Sequence, residues 1–247
     1  MTIGIIIGLS LTTILAGFVQ GLSGFGLALV AVPILALFLD IKTVVPLVML
    51  FAVTNNLINV IRLHQHLDLH KVKPVLIGSL PGIPLGAWFL SEIEGIWILL
   101  PLAIFLIAYS GYNLIRHNLL THKINYTPGK SGAYIAGILS GCLSGAFSTG
   151  GPPVVIYTDL QHWSNNDKKI LLSSYFMLLG IITLCWYLIF GILNSQIMFY
   201  FISLLPLLII GSWAGIFCYE KLSNHHYGRL VNYLLLISGL LLLFKLS

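Results

Sequence analysis

Charged side chains are scarce in this chain of 247 residues. Asp, Glu, Lys and Arg make up 8% of it, hydrophobic residues make up 58%, and the mean hydropathy is +0.99. A soluble domain needs about 25% charged residues to cover its surface, so the composition excludes one. Because lipid offers no hydrogen-bond partner to a bare backbone, we expect an all-α polytopic membrane protein.

Other absences narrow the functional classes. The first basic residue is Lys42, so the start lacks the positive region of a cleavable signal peptide. The net charge of +5 is not gathered into a basic patch with interleaved aromatics, so we expect no nucleic-acid partner. The cysteines Cys142, Cys185 and Cys218 stand alone in apolar runs and are interpreted as small buried hydrophobes.

Apolar segments alternate with short polar ones, and most are close to the ~20 residues that a helix needs to span a bilayer. They cover residues 3–39, 43–61, 74–90, 96–115, 131–158, 170–190, 197–218 and 230–244. The segments 3–39 and 131–158 are longer, and small residues interrupt each, over Gly17–Gly26 and Gly137–Pro153. Glycine weakens a helix and proline removes one of its hydrogen bonds, so both segments are predicted to be broken helices.

The two halves of the chain repeat one pattern. Each half contains a broken segment and the motif Pro-x4-Gly-x-Trp, at Pro81–Trp88 and Pro206–Trp213. The motif's Pro and Trp are interpreted as helix kinks and interface anchors. We predict a first transmembrane repeat over 1–120, a cytoplasmic linker over 121–130 and a second repeat over 131–247. Each repeat would be a broken re-entrant helical hairpin plus three transmembrane helices.

The basic residues predict how the repeats are oriented. If each broken segment returns to the face it entered from, each repeat crosses the membrane three times and the second repeat is inverted. Ten of the 12 Lys and Arg residues then share one face, whereas a single crossing by each broken segment divides them seven to five. Basic loops stay in the cytoplasm. We therefore place both termini outside and the following loops inside: 62–73, 116–130, 159–169 and 219–229.

The broken helices predict an anion site. A helix end exposes unpaired N–H groups and a partial positive charge, and glycine lets an oxyanion approach the backbone closely. Hydroxyl and amide side chains nearby would add donors. The predicted substrate-binding residues are Ser23, Gly24, Phe25, Gly26, Asn55, Asn56, Asn59, Ser144, Ser148, Thr149, Gly150, Gly151 and Pro152.

Some residues in these segments are explained equally well by structure alone. Gly17, Gly21, Gly137 and Gly141 suit close helix packing, and the three asparagines could bond neighbouring helices. No Lys, Arg, Asp, Glu or His lies deep in a predicted span. A cation path or a proton relay would normally show one, so the neutral donors favour an anion.

A run of histidines occupies the first predicted cytoplasmic loop. His64, His66, Asp68 and His70 alternate there and could hold a metal along an extended strand. No cysteine or second cluster supports such a site, so they are interpreted as interface residues, and neither metal nor cofactor is predicted. Enzyme activity is not predicted either, because Ser148 has no histidine near it in sequence or within a span.

The motifs resemble those of a known family. Gly-Phe-Val-Gln-Gly-Leu-Ser-Gly-Phe-Gly with Pro33, Ser-Gly-Ala-Phe-Ser-Thr-Gly-Gly-Pro-Pro-Val-Val-Ile-Tyr at 144–157, and the Pro-x4-Gly repeat resemble the sulfite exporter TauE/SafE family of membrane transporters. The resemblance runs over nearly the whole chain. It implies a permease for sulfite or small organosulfonates in the bacterial cytoplasmic membrane. Ser148 and Leu27 depart from it, since the family often has glycine there.

These observations predict transport of a small sulfur-containing oxyanion, such as sulfite or an organosulfonate, bound at facing helix breaks near the bilayer midplane. The partners would be the anion and the lipid bilayer, and the pattern allows a homodimer. Export is favoured because a negative interior drives an anion out by about 2.3 kcal/mol per charge per 100 mV. The alternative is a membrane scaffold or partner subunit that transports nothing.

Overall fold

The computed structural model describes residues 3–63, 69–119, 127–161, 163–219, 236–237 and 239–244. Within these residues every regular element is a helix, which confirms the all-α prediction. The helices are α1 (Ile3–Ser23), α2 (Leu27–Leu35), α3 (Ile41–Leu63), α4 (Leu69–Ser79), α5 (Gly82–Glu92), α6 (Gly95–Leu119), α7 (Lys130–Phe147), α8 (Gly151–Asp159), α9 (Asn165–Ile189) and α10 (Ser195–Tyr219). Residues 239–244 are also helical.

The helices are those of a multi-pass membrane protein. In the described part of the chain, α1, α3, α6, α9 and α10 are each long and apolar enough to cross a membrane. α4 and α5 together would form a further span, bent by 42° where they meet. Pro81 stands at this bend, and its missing N–H explains why α4 ends there. Pro206 lies inside α10, which continues through it.

The first predicted helix break is present between α1 and α2. Gly24 and Gly26, which lie between the two helices, have φ values of 77° and 97°. Glycine adopts this left-handed region without steric cost, and other residues do so with difficulty. The chain therefore turns out of α1 at the point where the sequence supplies glycine.

The second predicted break separates α7 from α8. Ser148 follows the last residue of α7 with a φ of 57°, and in the described residues no other non-glycine has a positive φ. Gly150 precedes α8, and prolines occupy its first turn, where a helix makes no use of the N–H groups. The Gly-Gly-Pro-Pro stretch thus ends one helix and starts another.

Long helices precede the breaks and short helices follow them. α1 has 21 residues and α7 has 18, which correspond to about 31 and 27 Å at 1.5 Å per residue. α2 and α8 have nine residues each. Each break therefore follows a helix about as long as the ~30 Å hydrocarbon core is thick, rather than dividing the apolar segment evenly.

α1 packs along α10, a helix from the other half of the chain. Residue numbers rise together along the interface, so the two helices are parallel. Glycines on both helices allow the backbones to touch, and a Cβ on any of them would overlap the partner's backbone. The pairs are Gly17 with Leu208, Gly21 with Ser212, Gly211 with Ile14 and Gly215 with Phe18.

α7 packs in the same way along α4 and α5, again across the two halves. The pairs are Gly137 with Val75, Gly141 with Ser79, Gly145 with Ile83, Gly78 with Tyr134, Gly82 with Ile138 and Gly86 with Cys142. Small residues four apart on both partners are a general means of bringing membrane helices close. Of the two interpretations of Gly17, Gly21, Gly137 and Gly141, the contacts support packing.

α9 connects the two packed pairs. It crosses α3 at Gly180, whose small size lets Val53 approach. Near its start Lys169 contacts the end of α1, and near its end Tyr187 contacts the end of α7. α1 and α7 therefore end towards opposite ends of α9, as an inverted repeat requires. The repeat boundaries and the membrane topology stay predictions.

The prediction that the cysteines are buried is wrong. Cys185 is exposed, and Cys142 and Cys218 are only partly buried. The outside of a membrane protein meets lipid, which is as apolar as the side chains, so a small hydrophobic residue gains little from an interior position. The exposed Trp88 and Trp213 of the repeated motif suit the same surroundings.

Candidate functional site

A cavity of about 40 Å³ lies where the two helix breaks come together. The first break contributes Phe25 and Gly26, the second contributes Ser148–Gly151, and α3 contributes Asn56. Together with Ser144 on α7, these are eight of the predicted substrate-binding residues. No charged side chain lines the cavity. The fold thus brings two segments that are far apart in sequence to one small polar space.

A chain of hydrogen bonds fixes the orientation of the Asn56 amide. Gln20 Oε1 accepts from the N–H of Leu27 at 3.0 Å, so the other end of this side chain must donate. Gln20 Nε2 donates to Asn56 Oδ1 at 2.8 Å. The Asn56 oxygen is therefore taken, and its Nδ2, which is buried, has no partner. The contacts with α1 and α2 thus fix which end of the Asn56 amide donates, and Asn56 lines the cavity.

Gln20 was not among the predicted site residues. The sequence does contain a signal for it, since Gln20 is the sole amide side chain between residues 3 and 39. A buried amide in an apolar helix is costly unless it is hydrogen-bonded. Gln20 meets this requirement by joining the start of α2 to α3.

Thr149 supplies a second unpaired donor. Its side chain is buried, its Oγ1 has no hydrogen-bond partner, and the residue lines the cavity. A buried polar group left unsatisfied costs about 1–3 kcal/mol. Asn56 and Thr149 are the two residues that both line the cavity and carry a buried side-chain donor without a partner among the described residues.

The helix starts at the breaks contribute unequally. α2 begins after Gly26, and its first N–H groups have no acceptor within the helix. The N–H of Leu27 donates to Gln20, and the next two residues, Ala28 and Leu29, line the cavity. α8 offers only the N–H of Gly151, because prolines hold the next two positions and have none.

Two side chains of α9 cap the opposite, negative poles of the long helices. Lys169 Nζ donates to the carbonyls of Gly21 and Leu22 at 3.1 and 3.4 Å, at the end of α1. The hydroxyl of Tyr187 donates to the carbonyl of Gly145 at 2.7 Å, near the end of α7. A helix C-terminus carries a partial negative charge that repels an anion. Both caps reduce that repulsion beside the cavity.

One basic side chain, that of Lys169, lies beside the first helix break. The sequence assigned Lys169 to a cytoplasmic loop, but α9 begins before it, and the side chain is only 8% exposed. Its Cγ lies close to Gly24, where a Cβ would come within 2.9 Å of it. The apolar run begins at the next residue, so a hydropathy boundary places Lys169 just outside the span.

Gly150 and Gly151 differ in how much space surrounds them. A Cβ on Gly150 would come within 2.6 Å of the Ser140 carbonyl oxygen, so this glycine is needed for packing. A Cβ on Gly151 would meet only Phe25 and Phe176, at 3.6 and 3.9 Å, which are ordinary contact distances. Gly151 therefore keeps space open in the cavity rather than between helices.

The remaining predicted residues do not line the cavity. Ser23 is the last residue of α1, and Pro152 is buried in the first turn of α8. Asn55 accepts from Ser212 Oγ at 2.8 Å and so bonds α3 to α10. Asn59 is buried elsewhere on α3, with its Nδ2 unpaired. Of the three asparagines, the structure brings only Asn56 to the cavity.

The hydroxyl of Ser148 is already engaged. Its Oγ donates to the carbonyl of Val45 at 2.8 Å, and a hydroxyl has a single proton to give. Ser148 was predicted to donate to the substrate, and this contact instead ties the second break to α3. The left-handed backbone explains why glycine would suit the position, and the hydrogen bond explains what serine gains there.

Ser148→Ala is expected to destabilise the protein by about 1 kcal/mol, because the hydrogen bond is lost while the backbone strain stays. Ser148→Gly loses the same bond but relieves a strain of about 1–2 kcal/mol, so it should be at least as stable as the wild type. Thermal unfolding midpoints in detergent measure the order. An alanine variant as stable as the glycine variant would contradict the left-handed conformation.

Of the four residues in the histidine run, the structure describes only His70. His64, His66 and Asp68 lie outside the described residues, and His70 is in α4. In the part of the chain that the structure describes, no three His, Cys, Asp or Glu side chains are grouped so as to hold a metal.

Comparison with known families agrees with the membrane fold. The family model described as sulfite exporter TauE/SafE matches residues 9–242. The chain belongs to this family. No curated protein and no solved structure matches it. The resemblance seen in the motifs of the two breaks is therefore confirmed over nearly the whole length.

Membership of the TauE/SafE family assigns this protein to membrane transport rather than to catalysis. It also implies that sulfur anions such as sulfite are the class of solute moved. The cavity is lined by no charged side chain, and two of its lining residues, Asn56 and Thr149, carry unpaired donors.

Proposed function

We propose that this TauE/SafE protein exports a small sulfur oxyanion and binds it in the cavity between the two helix breaks. The observation that carries the proposal is a pair of buried, unpaired donors, Asn56 Nδ2 and Thr149 Oγ1, on two residues that line a cavity without a charged side chain. An oxyanion offers acceptors to both, and the two helix starts add partial positive charge.

The size of the cavity favours sulfite over an organosulfonate. A buried water needs about 10–15 Å³, so about 40 Å³ holds roughly three waters. An ion with three oxygens on one sulfur is of this order. An organosulfonate adds a carbon chain, for which the cavity must widen between Phe25 and Phe176.

A site without a formal charge suits transport. Neutral donors bind an anion through several modest hydrogen bonds, each contributing about 1.5–3 kcal/mol to a charged partner. A cationic side chain in the wall would add a strong pairing that slows release in a medium of low dielectric constant. Lys169 is engaged with the end of α1, so its charge favours an anion without lining the cavity.

Export is the proposed direction. In the described residues the carboxylates lie at helix ends or between helices, at Asp40, Glu92, Glu94, Asp159 and Asp167, and none lines the cavity. Uptake against a negative interior would need a coupling ion, and no such carboxylate is placed to carry a proton. We place the protein in the bacterial cytoplasmic membrane with both termini outside, and a homodimer stays a prediction.

Liposomes containing the purified protein and loaded with sulfite test the proposal. Sulfite efflux is expected to accelerate when a potassium gradient with valinomycin makes the interior negative, because about 2.3 kcal/mol per charge per 100 mV then drives the anion out. The measured quantity is the initial efflux rate, with protein-free liposomes as the background. Efflux that ignores the potential would contradict electrogenic export.

Gly151→Val tests whether the substrate binds in this cavity. The larger side chain would fill the space beside Phe25 and Phe176, so potential-driven efflux should be lost while the protein stays folded. Gly111→Val is the matched variant, because a side chain at Gly111 meets nothing within 4 Å. Equal efflux from the two variants would place the substrate elsewhere.

A further inference from the structure

A second, larger cavity opens on the outside of the bundle between α4 and α7. It measures about 320 Å³ and is lined by His70, Lys73, Pro74, Ile77, Lys130 and Tyr134. It shares no residue with the cavity at the helix breaks. It joins the two halves of the chain, because α4 belongs to the first and α7 to the second.

The charge of this groove is positive. Lys73 and Lys130 come from different helices, and no acidic residue lines the groove. Neither lysine has an ion-pair partner in the described residues. Two lysines from different helices that line one groove favour an anionic group bound there.

The groove lies where polar surface gives way to apolar surface. α4 and α7 are parallel, Lys73 is the fifth residue of α4, and Lys130 is the first residue of α7, so both basic groups lie near the start of their helices. Exposed apolar side chains follow the lysines along the chain: Ile77 on α4, Leu80 just after α4, and Ile135 and Ile138 on α7. Tyr134 is also exposed and suits the headgroup level, as aromatic residues do at membrane interfaces.

We propose that this groove binds the phosphate of an anionic glycerophospholipid. Lys73 and Lys130 hold the phosphate from two sides, and one acyl chain lies along the exposed apolar residues of α4 and α7. Basic pockets between membrane helices are suited to such headgroups, and the cytoplasmic leaflet, where the predicted topology places this end, is the anionic one. The bound lipid would clamp the two halves together at their shared interface.

A free phosphate ion offers the same headgroup chemistry without the acyl chains. The apolar strip beside the groove favours the lipid, since an inorganic ion would make no use of it. The two sources are separated by supplying each one alone.

Thermal unfolding of the full chain in neutral detergent tests the inference, with phosphatidylglycerol, phosphatidylcholine or inorganic phosphate added. Phosphatidylglycerol is expected to raise the unfolding midpoint, and the other two are expected to leave it unchanged. In a Lys73→Gln/Lys130→Gln variant the phosphatidylglycerol concentration that gives half the shift should rise by about 30-fold, because each of the two lysines contributes about 1 kcal/mol near an anionic lipid and 1.4 kcal/mol is tenfold.

Lys71→Gln/Lys168→Gln is the matched control. It removes the same charge from residues outside the groove, which face Trp163 and Asp159, and should keep the wild-type response. A Lys73→Arg/Lys130→Arg variant retains the charge and should respond as well. If both glutamine variants lose the phosphatidylglycerol response equally, the response depends on net charge alone, and the proposed site is overturned. A full shift with inorganic phosphate alone would overturn the lipid as its occupant.

Discussion

Alanine at Gly86 or at Gly211 is expected to lower the stability of the folded bundle by about 2–3 kcal/mol, at the upper end of the usual cost of overpacking. These are the glycines of the repeated Pro-x4-Gly motif. A Cβ at Gly86 would overlap the carbonyl oxygen of Cys142, and one at Gly211 would overlap that of Ile14. A backbone oxygen cannot rotate away as a side chain can, so the helices must move apart.

Gly111→Ala is the control for this pair. Gly111 also lies inside a helix, α6, but a Cβ there meets nothing within 4 Å. Alanine favours a helix over glycine by up to about 1 kcal/mol, so this variant should be neutral or more stable. The same chemical change thus has opposite signs, measured as unfolding midpoints in detergent. Unchanged midpoints for Gly86→Ala and Gly211→Ala would show that these helices do not pack as described.

The motif illustrates what a single sequence can and cannot predict. Its recurrence revealed two related halves, because spacing is visible without a structure. Its purpose was not visible, since a glycine in a chain does not show which helix it faces. The contacts supply that partner: each motif glycine meets the broken helix of the other half. For the same reason the sequence alone did not distinguish a packing role from a binding role for Gly17 and Gly137.

The helix breaks were predictable because their causes are local. Glycine and proline act on the backbone of their own segment, so Gly24, Gly26 and the Gly-Gly-Pro-Pro stretch end helices wherever the fold places them. The side chains around the cavity depend on distant partners. Ser148 was predicted as a donor to the substrate, and only the approach of Val45 shows that its proton is used.

The three asparagines of α3 also have roles that depend on partners distant in sequence. Helical spacing puts Asn55 and Asn59 within about 40° of each other and turns Asn56 away by about 100° from Asn55 and about 60° from Asn59. The sequence does not say which face meets the cavity, and all three were predicted to bind. The hydrogen bonds in the structure distinguish them. Asn55 accepts from Ser212 of α10, and Asn56 accepts from Gln20 of α1, on the side of the helix breaks.

Asn56→Leu is expected to weaken sulfite binding by about 10- to 150-fold, because a hydrogen bond to a charged ligand contributes about 1.5–3 kcal/mol. Leucine has nearly the same size but carries no donor, and it also leaves Gln20 Nε2 without its 2.8 Å partner. The half-saturating sulfite concentration for efflux from liposomes measures the change. It should rise even where the maximal rate is retained.

Asn59→Leu separates binding from folding in this experiment. Asn59 and Asn56 are both 1% exposed and both have an unpaired Nδ2, but Asn59 lies outside the cavity. Its replacement removes a buried unsatisfied donor and should leave the half-saturating concentration unchanged. If Asn59→Leu loses as much sulfite affinity as Asn56→Leu, the affinity depends on the overall polarity of α3 rather than on a direct contact with Asn56. A loss confined to Asn56 is what a cavity with one directed amide donor requires.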